Sequence, residues 1–261
     1  MKIAIVTGAS SGIGKQFTLQ IDGYGFDEIW GIALDEQGLL ETQKELKTKF
    51  VPFPMDLTKN ESFEALVEKL KNEKPEVELL INCSGFGKFG RYDEIPLEQS
   101  CNMIDLNCKG TVKMTELVLP YIPRGGRIIE ISSISSFAPI PYVNVYAATK
   151  AFLKSYSVSL GEELKPRGIS VTCVCPYWTK TQFFKRAKAT ENDVITYYQV
   201  MYDPKKVVSY ALKCAKKRKR FSLYGTTTKF MAFLTRILPT GMFLAIWNKQ
   251  QNFKKKYWKK N

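Results

Sequence analysis

The strongest constraint on the fold is a regular alternation of short β-branched runs with helical patterns, which continues to about residue 175. The runs typical of strands are Ile3–Val6, Glu28–Ala33, Phe50–Pro54, Leu79–Asn82, Arg127–Ser132 and Ser170–Cys175. Helical patterns lie between them, beginning near Gly14 and Gln37 and covering Asn60–Asn72, Leu97–Leu119 and Tyr146–Lys165. This rhythm predicts an α/β fold built on a single doubly wound parallel sheet of six or seven strands, with helices on both faces.

The alternation ends near Tyr177. Residues 177–203 are rich in aromatic and polar side chains, and Pro204 then opens a helical pattern that runs through Ala215. We expect residues 177–215 to cover a substrate. Residues 228–247 are apolar with an interruption at residues 239–241, which predicts two short amphipathic helices. With the lysines that follow, residues 228–261 form an amphipathic, basic helical extension of a single domain spanning residues 1–261.

Composition excludes several classes of chemistry. The chain of 261 residues is 44% hydrophobic, enough for one substantial core. It contains no histidine, which removes serine-hydrolase triads and histidine-dependent metal sites. The six cysteines lack the paired spacing of a disulfide scaffold or a zinc site, so we expect reduced thiols and no metal. No apolar run is long enough to cross a bilayer, and Met1–Val6 is too short for a secretory signal, so a cytoplasmic location is expected.

The formal net charge of +14 is unevenly distributed. Much of the excess lies in Lys216–Arg220 and Lys254–Lys260, whereas the first two hundred residues are closer to balance. Lysines beside Tyr257 and Trp258 leave nucleic-acid binding open. Weak contact with a membrane surface fits the apolar stretch 228–247 better. We expect no nucleic-acid partner, and we prefer a lid or subunit contact with a solvated tail.

The turn between the first strand and the first helix is rich in glycine, with the sequence Thr-Gly-Ala-Ser-Ser-Gly-Ile-Gly over residues 7–14. Glycines there let the backbone approach a pyrophosphate, and the helix N-terminus adds oriented N–H groups. The alternative is that the glycines serve only to form the turn and bind no ligand. The candidate cofactor-binding residues of this turn are Gly8, Ser10, Ser11, Gly12, Ile13 and Gly14.

A second pattern places Tyr146 and Lys150 one helical step apart, on the same face of the helix. An ammonium near a phenol favours the phenolate and is expected to lower the pKa of Tyr146. The alternative is that Tyr146 and Lys150 are an ordinary pair on the protein surface without a catalytic role. However, a buried-strand pattern ends at Ser133, thirteen residues earlier, so a serine at a strand end can meet a tyrosine at a helix start.

With Asp56-Leu57, Asn107 and Asn82-Cys83-Ser84-Gly85 added, the sequence resembles the short-chain dehydrogenase/reductase family from residue 1 to about residue 184. The resemblance implies a Rossmann-type fold, an NAD(P)(H) cofactor and interconversion of a secondary alcohol and a ketone. It implies that Tyr146 is the general acid/base, that Ser133 orients the substrate oxygen, that Lys150 holds the nicotinamide ribose, and that Asn107 anchors a water. Fixed hydroxyl donors would also stabilise the charge that develops on that oxygen.

The same resemblance implies further cofactor contacts. Asp56 would accept a bond from the adenine amino group beside the Leu57 backbone, with a helix N-cap as its alternative role. Residues 82–85 would shape the sheet edge, although Cys83 and Ser84 depart from the family's usual Asn-Ala. The carboxamide would meet residues after the sixth strand, where Tyr177 replaces the family's usual glycine. The candidates there are Pro176, Thr179 and Thr181.

Neither the dinucleotide nor the substrate is fixed by the sequence. The second strand is followed by Leu34 and Asp35, with no adjacent arginine to accept a 2′-phosphate, and the basic net charge leans slightly towards NADP(H). A hydrophobic substrate such as a steroid or another bulky ketone fits the aromatic candidates for the pocket, for which core packing is the alternative. These candidates are Phe86, Phe89, Tyr142, Trp178, Phe183, Phe184, Tyr197, Tyr198 and Met201.

Two further expectations concern the whole protein. A non-catalytic dinucleotide sensor on the same fold is the alternative to an enzyme, but the intact set of Ser133, Tyr146 and Lys150 argues against it. Long helices near residues 100–119 and 146–165 commonly pack across a two-fold axis in the family. We therefore expect a homodimer or homotetramer.

Overall fold

The computed structural model describes residues 1–187, 194–198 and 200–253. Its centre is a seven-stranded sheet in which all neighbouring strands are parallel. The strands are β1 (Lys2–Thr7), β2 (Glu28–Ala33), β3 (Lys49–Pro54), β4 (Glu76–Asn82), β5 (Arg127–Ile131), β6 (Ser170–Val174) and β7 (Phe221–Ser222). Their order is β3-β2-β1-β4-β5-β6-β7, which confirms the doubly wound parallel sheet.

Helices lie at the predicted positions, and one short helix, Phe183–Ala187, was not predicted. They are α1 (Gly12–Gln20), α2 (Glu36–Gln43), α3 (Glu64–Glu73), α4 (Leu97–Ile104), α5 (Thr111–Val118), α6 (Asn144–Glu163), α7 (Phe183–Ala187), α8 (Pro204–Lys216), α9 (Thr226–Ile237) and α10 (Thr240–Gln250). The two predicted amphipathic helices of the C-terminal region are α9 and α10. Residues 254–261 of the predicted extension lie outside the described residues.

Alternate side chains of each strand pack into cores on opposite faces of the sheet. Ala4 and Val6 of β1 join a cluster with Phe17 of α1 and Val208 of α8. Ile3 and Ile5 of the same strand point to the other face and join a second cluster with side chains of α3 and α5. The strands are buried on both faces, which explains why they read as nearly continuous apolar runs.

The predicted long helix is confirmed over residues 97–118, but its winding changes in the middle. A π turn at Asp105–Gly110 separates α4 from α5, and Asn107 lies within it. The Asn107 side chain bonds to both backbone groups of Phe86 and to Thr149. These long-range bonds hold the irregular turn and explain why helical periodicity alone did not reveal it.

The region predicted to cover the substrate divides into two parts. Residues 177–187, which include α7, follow β6 and border the cavity described below. Helix α8 instead packs on the sheet, burying Val207, Val208 and Ala211. The covering role therefore does not extend to α8, whose apolar face belongs to the core. Residues 188–193 and 199 of the predicted segment lie outside the described residues.

Among the residues that the structure describes, no helix has both the length and the apolar character needed to cross a lipid bilayer.

Candidate active site

The site occupies a cavity of about 1100 Å³ at the carboxyl edge of the sheet. Strand order reverses between β1 and β4, so the connections from these two strands leave towards opposite faces and open a crevice between them. The ends of β5 and β6 border the same cavity. Residues far apart in sequence therefore meet in one place because of the sheet topology.

The glycine-rich turn borders this cavity at the N-terminus of α1, where all six predicted residues lie. Gly8 and Gly12 have φ values of 72° and 57°, which side chains rarely adopt. A Cβ on Gly14 would lie 2.1 Å from the Gly8 carbonyl oxygen, so the close turn excludes any side chain there. Ser11 caps α1 without using its hydroxyl for the cap. The backbone and hydroxyl donors can therefore meet an anion.

Strand β4 is fastened to this turn. Thr7 Oγ1 accepts hydrogen bonds from the backbone N–H of Cys83 at 2.9 Å and of Ser84 at 3.0 Å. Cys83, Ser84 and Gly85 line the cavity, and their contact with a cofactor stays a prediction. Burial raises the pKa of the Cys83 thiol to about 12, so Cys83 is a small neutral wall residue rather than a nucleophile.

Asn82 is placed differently from its predicted position at the cofactor. Its Nδ2 donates to Thr115 Oγ1 and to Glu130 Oε1, each at 2.8 Å, in a buried polar cluster beneath the cavity. Thr115 also donates to Glu130 at 3.1 Å. Asn82 is the last residue of β4, and its side chain points to the sheet face covered by α5. It therefore joins β4 to β5 and α5 and is absent from the cavity lining.

Asp56 and Leu57 follow β3 and line the opposite end of the cavity. The Asp56 carboxylate accepts from the backbone N–H of Thr58 at 2.9 Å and from its hydroxyl at 2.7 Å. These bonds close a local turn through one carboxylate oxygen. Asp35, after β2, caps α2 by accepting from Gly38 N at 3.0 Å. Leu34, by contrast, is 75% exposed beside the cavity.

Ser133, Tyr146 and Lys150 meet at the middle of the cavity. Ser133 faces the Tyr146 hydroxyl and acts on its pKa as a hydrogen-bonding partner. The Lys150 ammonium lies 5.7 Å from the centroid of the Tyr146 ring and donates to the Ile131 carbonyl at 2.8 Å. The neighbouring Ser132 donates to the Lys150 carbonyl at 2.7 Å, which fixes α6 against the end of β5.

The expected lowering of the Tyr146 pKa is not found. Burial raises the pKa of Tyr146 to about 12, and the bond with Ser133 only partly offsets this effect. The Lys150 ammonium is directed to a backbone carbonyl, and burial lowers its own pKa. At neutral pH the phenol is therefore protonated and suited to donating a proton.

Asn107 lies behind this group rather than on the cavity surface. It is fully buried. Its Oδ1 accepts from Phe86 N at 3.0 Å, while its Nδ2 donates to Phe86 O at 2.9 Å and to Thr149 Oγ1 at 3.0 Å. A Cβ on Gly85 would lie 2.9 Å from Asn107 Oδ1 and 3.4 Å from Lys150 Nζ. Asn107 therefore holds the loop after β4 close to Lys150, whereas its predicted role with a water stays a prediction.

The segment after β6 closes the cavity beside the glycine turn. Pro176, Thr179 and Thr181 line it, and their contact with the carboxamide stays a prediction. The Thr179 hydroxyl donates to the Tyr177 carbonyl at 2.9 Å. Thr181 lies against Gly12. A Cβ added to Gly12 would stand 3.7 Å from the Cβ of Thr181. The two sides of the cavity thus approach each other at these residues.

Five of the predicted aromatic pocket residues line the cavity: Phe86, Phe89, Trp178, Phe183 and Phe184. Tyr198 stands behind this wall, 5.1 Å from Trp178 between ring centroids. Tyr142 packs on Phe253 at 4.2 Å, whereas Tyr197 is largely exposed. Tyr142, Tyr197, Tyr198 and Met201 are therefore absent from the lining. Core packing and surface exposure account for three of them, and nothing in the structure explains the placement of Met201.

Gly87 and two C-terminal helices are among the contributors to the site that were not predicted from the sequence. Gly87 lies against Tyr146, since an added Cβ would be 2.7 Å from Tyr146 Cδ2 and 2.9 Å from Phe183. The inner faces of α9 and α10 complete the cavity. They contribute Met231, Thr235, Phe243, Trp247 and Gln250. Their amphipathic pattern was the available signal, but it does not say what each face contacts.

The cavity fits a nicotinamide dinucleotide. Its volume, its elongated lining from Asp56 to Tyr146 and the side-chain-free turn at Gly14 suit a long ligand with a central pyrophosphate. The glycine turn and α1 would hold the phosphates, Asp56 and Leu57 the adenine end, and Lys150 the nicotinamide ribose. Among the described residues, no group of three or more acidic or cysteine side chains could hold a metal ion.

Comparison with known proteins agrees with this geometry. Residues 2–192 match the family model described as short chain dehydrogenase. An uncharacterized oxidoreductase from Staphylococcus epidermidis is 31% identical over 177 residues, covering 67% of this chain and 76% of the relative. A very-long-chain 3-oxoacyl-CoA reductase from Pyricularia oryzae is 33% identical over 190 residues, covering 67% of this chain but only 55% of the reductase.

A solved structure supports the same assignment. A short-chain dehydrogenase from Sphingobium yanoikuyae in complex with NADPH superposes with a TM-score of 0.76 at 26% identity, covering 92% of this chain and 97% of that one. The sheet order, the glycine turn and the meeting of Ser133, Tyr146 and Lys150 agree with the match over residues 2–192. The chain therefore belongs to the short-chain dehydrogenase family of oxidoreductases.

Proposed function

We propose that the protein transfers a hydride between a nicotinamide dinucleotide and the carbonyl or alcohol carbon of a hydrophobic substrate. The observation that carries the proposal is the meeting of Ser133, Tyr146 and buried Lys150 in one aromatic-lined cavity. The bound dinucleotide supplies or accepts the hydride. The alternative, a non-catalytic dinucleotide sensor, would not need the Tyr146 phenol as a buried proton donor.

The protonated phenol of Tyr146 suits the site to the reductive direction of the reaction. Because its pKa is raised, the phenol is protonated at neutral pH and donates its proton to the carbonyl oxygen as negative charge grows there. Ser133 donates a hydrogen bond to the same oxygen and holds it in place. Lys150 would hold the nicotinamide ribose during the transfer, and Asn107 keeps the neighbouring loop in position.

The cavity wall supports a bulky apolar ketone as the substrate. Phe89 contacts Tyr146, Trp178 and Phe183 at ring-centroid distances of 5.9 to 6.5 Å, which gives the reacting end an apolar enclosure. A fused-ring, hydroxysteroid-like ketone and a long-chain 3-oxoacyl group both suit such a wall. The latter is the substrate class in the name of the fungal relative.

NADPH is the cofactor we favour. The Sphingobium relative binds it. The side chain of Asp35 is engaged in capping α2, and Lys59 supplies a positive charge to the adenine end of the cavity. A cytoplasmic location is part of the same proposal.

The test follows nicotinamide absorbance with NADPH or NADH against steroid ketones and 3-oxoacyl thioesters. We expect Tyr146→Phe to lower kcat by at least about 100-fold, the usual contribution of a general acid, while changing the dinucleotide Kd little. Tyr156→Phe is the matched control, since it removes another buried hydroxyl of α6 that lies outside the cavity. Saturable dinucleotide binding without turnover of any substrate, or full activity of Tyr146→Phe, would contradict the proposal.

A further inference from the structure

The outward surfaces of α9 and α10 expose large apolar side chains. On α9, Phe230, Phe233 and Ile237 are 61%, 59% and 58% exposed, and their spacing of three and four residues places them on one side of the helix. On α10, Met242 and Ile246 are 54% and 41% exposed, one helical step apart. We call these five residues the α9–α10 face.

A groove of about 480 Å³ unites the two helices into one surface. Phe230 and Leu234 of α9 form one side of it, and Phe243 and Ile246 of α10 form the other. Phe230 and Ile246 of the α9–α10 face therefore meet at this groove, and the other three residues of the face lie on the same two helices. Scattered exposed apolar residues are ordinary, but a contiguous patch of this kind marks an interaction site.

Positive charge frames this surface. Lys229 and Arg236 are exposed on α9, and Lys249 is exposed on α10. All 25 acidic residues of the chain precede Pro204, so residues 204–261 carry lysine and arginine without any aspartate or glutamate. The net charge of +14 is therefore concentrated in the part of the chain that contains α9 and α10. Two such surfaces placed together would repel each other, which disfavours a second copy of the chain as the occupant.

We propose that the α9–α10 face docks on a lipid bilayer that contains anionic phospholipids. The apolar side chains enter the boundary between headgroups and acyl chains, and the flanking lysines and arginine contact the anionic headgroups. Both helices lie along the interface, because helices of 12 and 11 residues are too short to cross a bilayer.

Docking would place the membrane next to the active-site cavity. Met231, Phe243, Trp247 and Gln250 line both the groove and that cavity, so one thin wall separates them. An apolar substrate dissolved in the bilayer would need to pass only this wall. This step rests on the proposed function, whereas the docking itself does not.

The test is flotation of the full chain with vesicles, in the absence of substrate. We expect binding to phosphatidylcholine vesicles that contain phosphatidylserine, and at least about tenfold weaker partitioning to phosphatidylcholine alone. The double variant Phe233→Ser/Ile237→Ser should lose tenfold or more in partitioning. Tyr24→Ser/Tyr92→Ser is its matched control, since both tyrosines are exposed on other parts of the surface.

A second pair of variants tests the charge. Lys229→Gln/Arg236→Gln/Lys249→Gln should weaken binding to the anionic vesicles about tenfold or more, whereas Lys44→Gln/Lys47→Gln/Lys71→Gln should change it less than threefold. Circular dichroism checks that each variant is folded. The proposal is overturned if the wild-type chain does not bind anionic vesicles at low salt, if Phe233→Ser/Ile237→Ser binds unchanged, or if that variant instead dissociates an oligomer. Flotation needs no turnover, so it tests the docking proposal even if the enzyme assay shows no activity.

Discussion

The carboxyl group of Glu130 is completely buried beneath the active site. Asn82 and Thr115 both donate to its Oε1, while its Oε2 has no hydrogen-bond partner among the residues that the structure describes. Burial raises the pKa of Glu130 to about 8, and these two bonds only partly offset the effect. A protonated carboxyl at neutral pH accounts for a glutamate in this position without a paired cation.

This protonation state predicts a pH-dependent stability. From pH 5 to pH 8 the unfolded chain ionises Glu130 while the folded chain keeps it protonated, so the contribution of this group to the unfolding free energy falls by about 1.4 kcal/mol per pH unit. Glu130→Gln removes that dependence. Urea unfolding at several pH values should show the stability of the variant, relative to wild type, increasing towards pH 8. The exposed Glu116→Gln should follow wild type, and an unchanged slope in Glu130→Gln would refute the assignment.

Gly87 offers a second test at the scale of one residue. In Gly87→Ala the new Cβ would approach Tyr146 Cδ2 to 2.7 Å, so the phenol must shift relative to Ser133. We expect kcat to fall about tenfold or more, because proton transfer requires close alignment, with dinucleotide binding nearly unchanged. Gly161→Ala, whose Cβ would meet only ordinary contacts, is the control. Equal kcat values for the two variants would show that Gly87 does not position Tyr146.

Sequence motifs predicted the residues that meet at the cavity better than those that support them. Spacing along α6, together with the end of β5, was enough to bring Ser133, Tyr146 and Lys150 together. The position of Asn82 was wrong because a motif does not tell which sheet face a side chain takes. Gly87 was missed since the closeness of its neighbours depends on the fold of the whole loop.

At the scale of elements, the π turn between α4 and α5 is fixed by Asn107. Replacing Asn107 with leucine removes three side-chain hydrogen bonds and leaves both backbone groups of Phe86 without these partners. We expect a loss of about 2–4 kcal/mol in unfolding free energy. Chemical denaturation of Asn107→Leu measures it, with Asn72→Leu at the exposed end of α3 as the control. Similar stability of both variants would mean that the turn does not depend on Asn107.

Elements with many local signals were predicted well, and those set by distant contacts were not. Strands β1 to β6 are confirmed because buried parallel strands give long apolar runs. Strand β7 was not located since it has only two residues, Phe221 and Ser222, paired with β6. Asn107 bonds to residues 21 and 42 positions away, and helical periodicity contains no trace of such contacts.

For the whole molecule, the expected homodimer or homotetramer stays a prediction with one supporting observation. Leu97 and Ile104 of α4 are 79% and 51% exposed, and Phe152 of the adjacent α6 is 45% exposed. Apolar residues on these two helices suit packing across a two-fold axis. Light scattering at micromolar concentration should give at least twice the mass of 29.8 kDa, and Phe152→Glu should shift it towards that mass. A monomeric wild-type chain would exclude the expectation.

The wall shared by the groove and the active-site cavity has a consequence for kinetics. If substrate crosses at Met231, Phe243 and Trp247, the quantity that governs turnover is the number of substrate molecules per unit of lipid area. Adding empty vesicles to a fixed amount of enzyme and substrate would then slow the reaction by surface dilution, even though no concentration in the bulk solution changes.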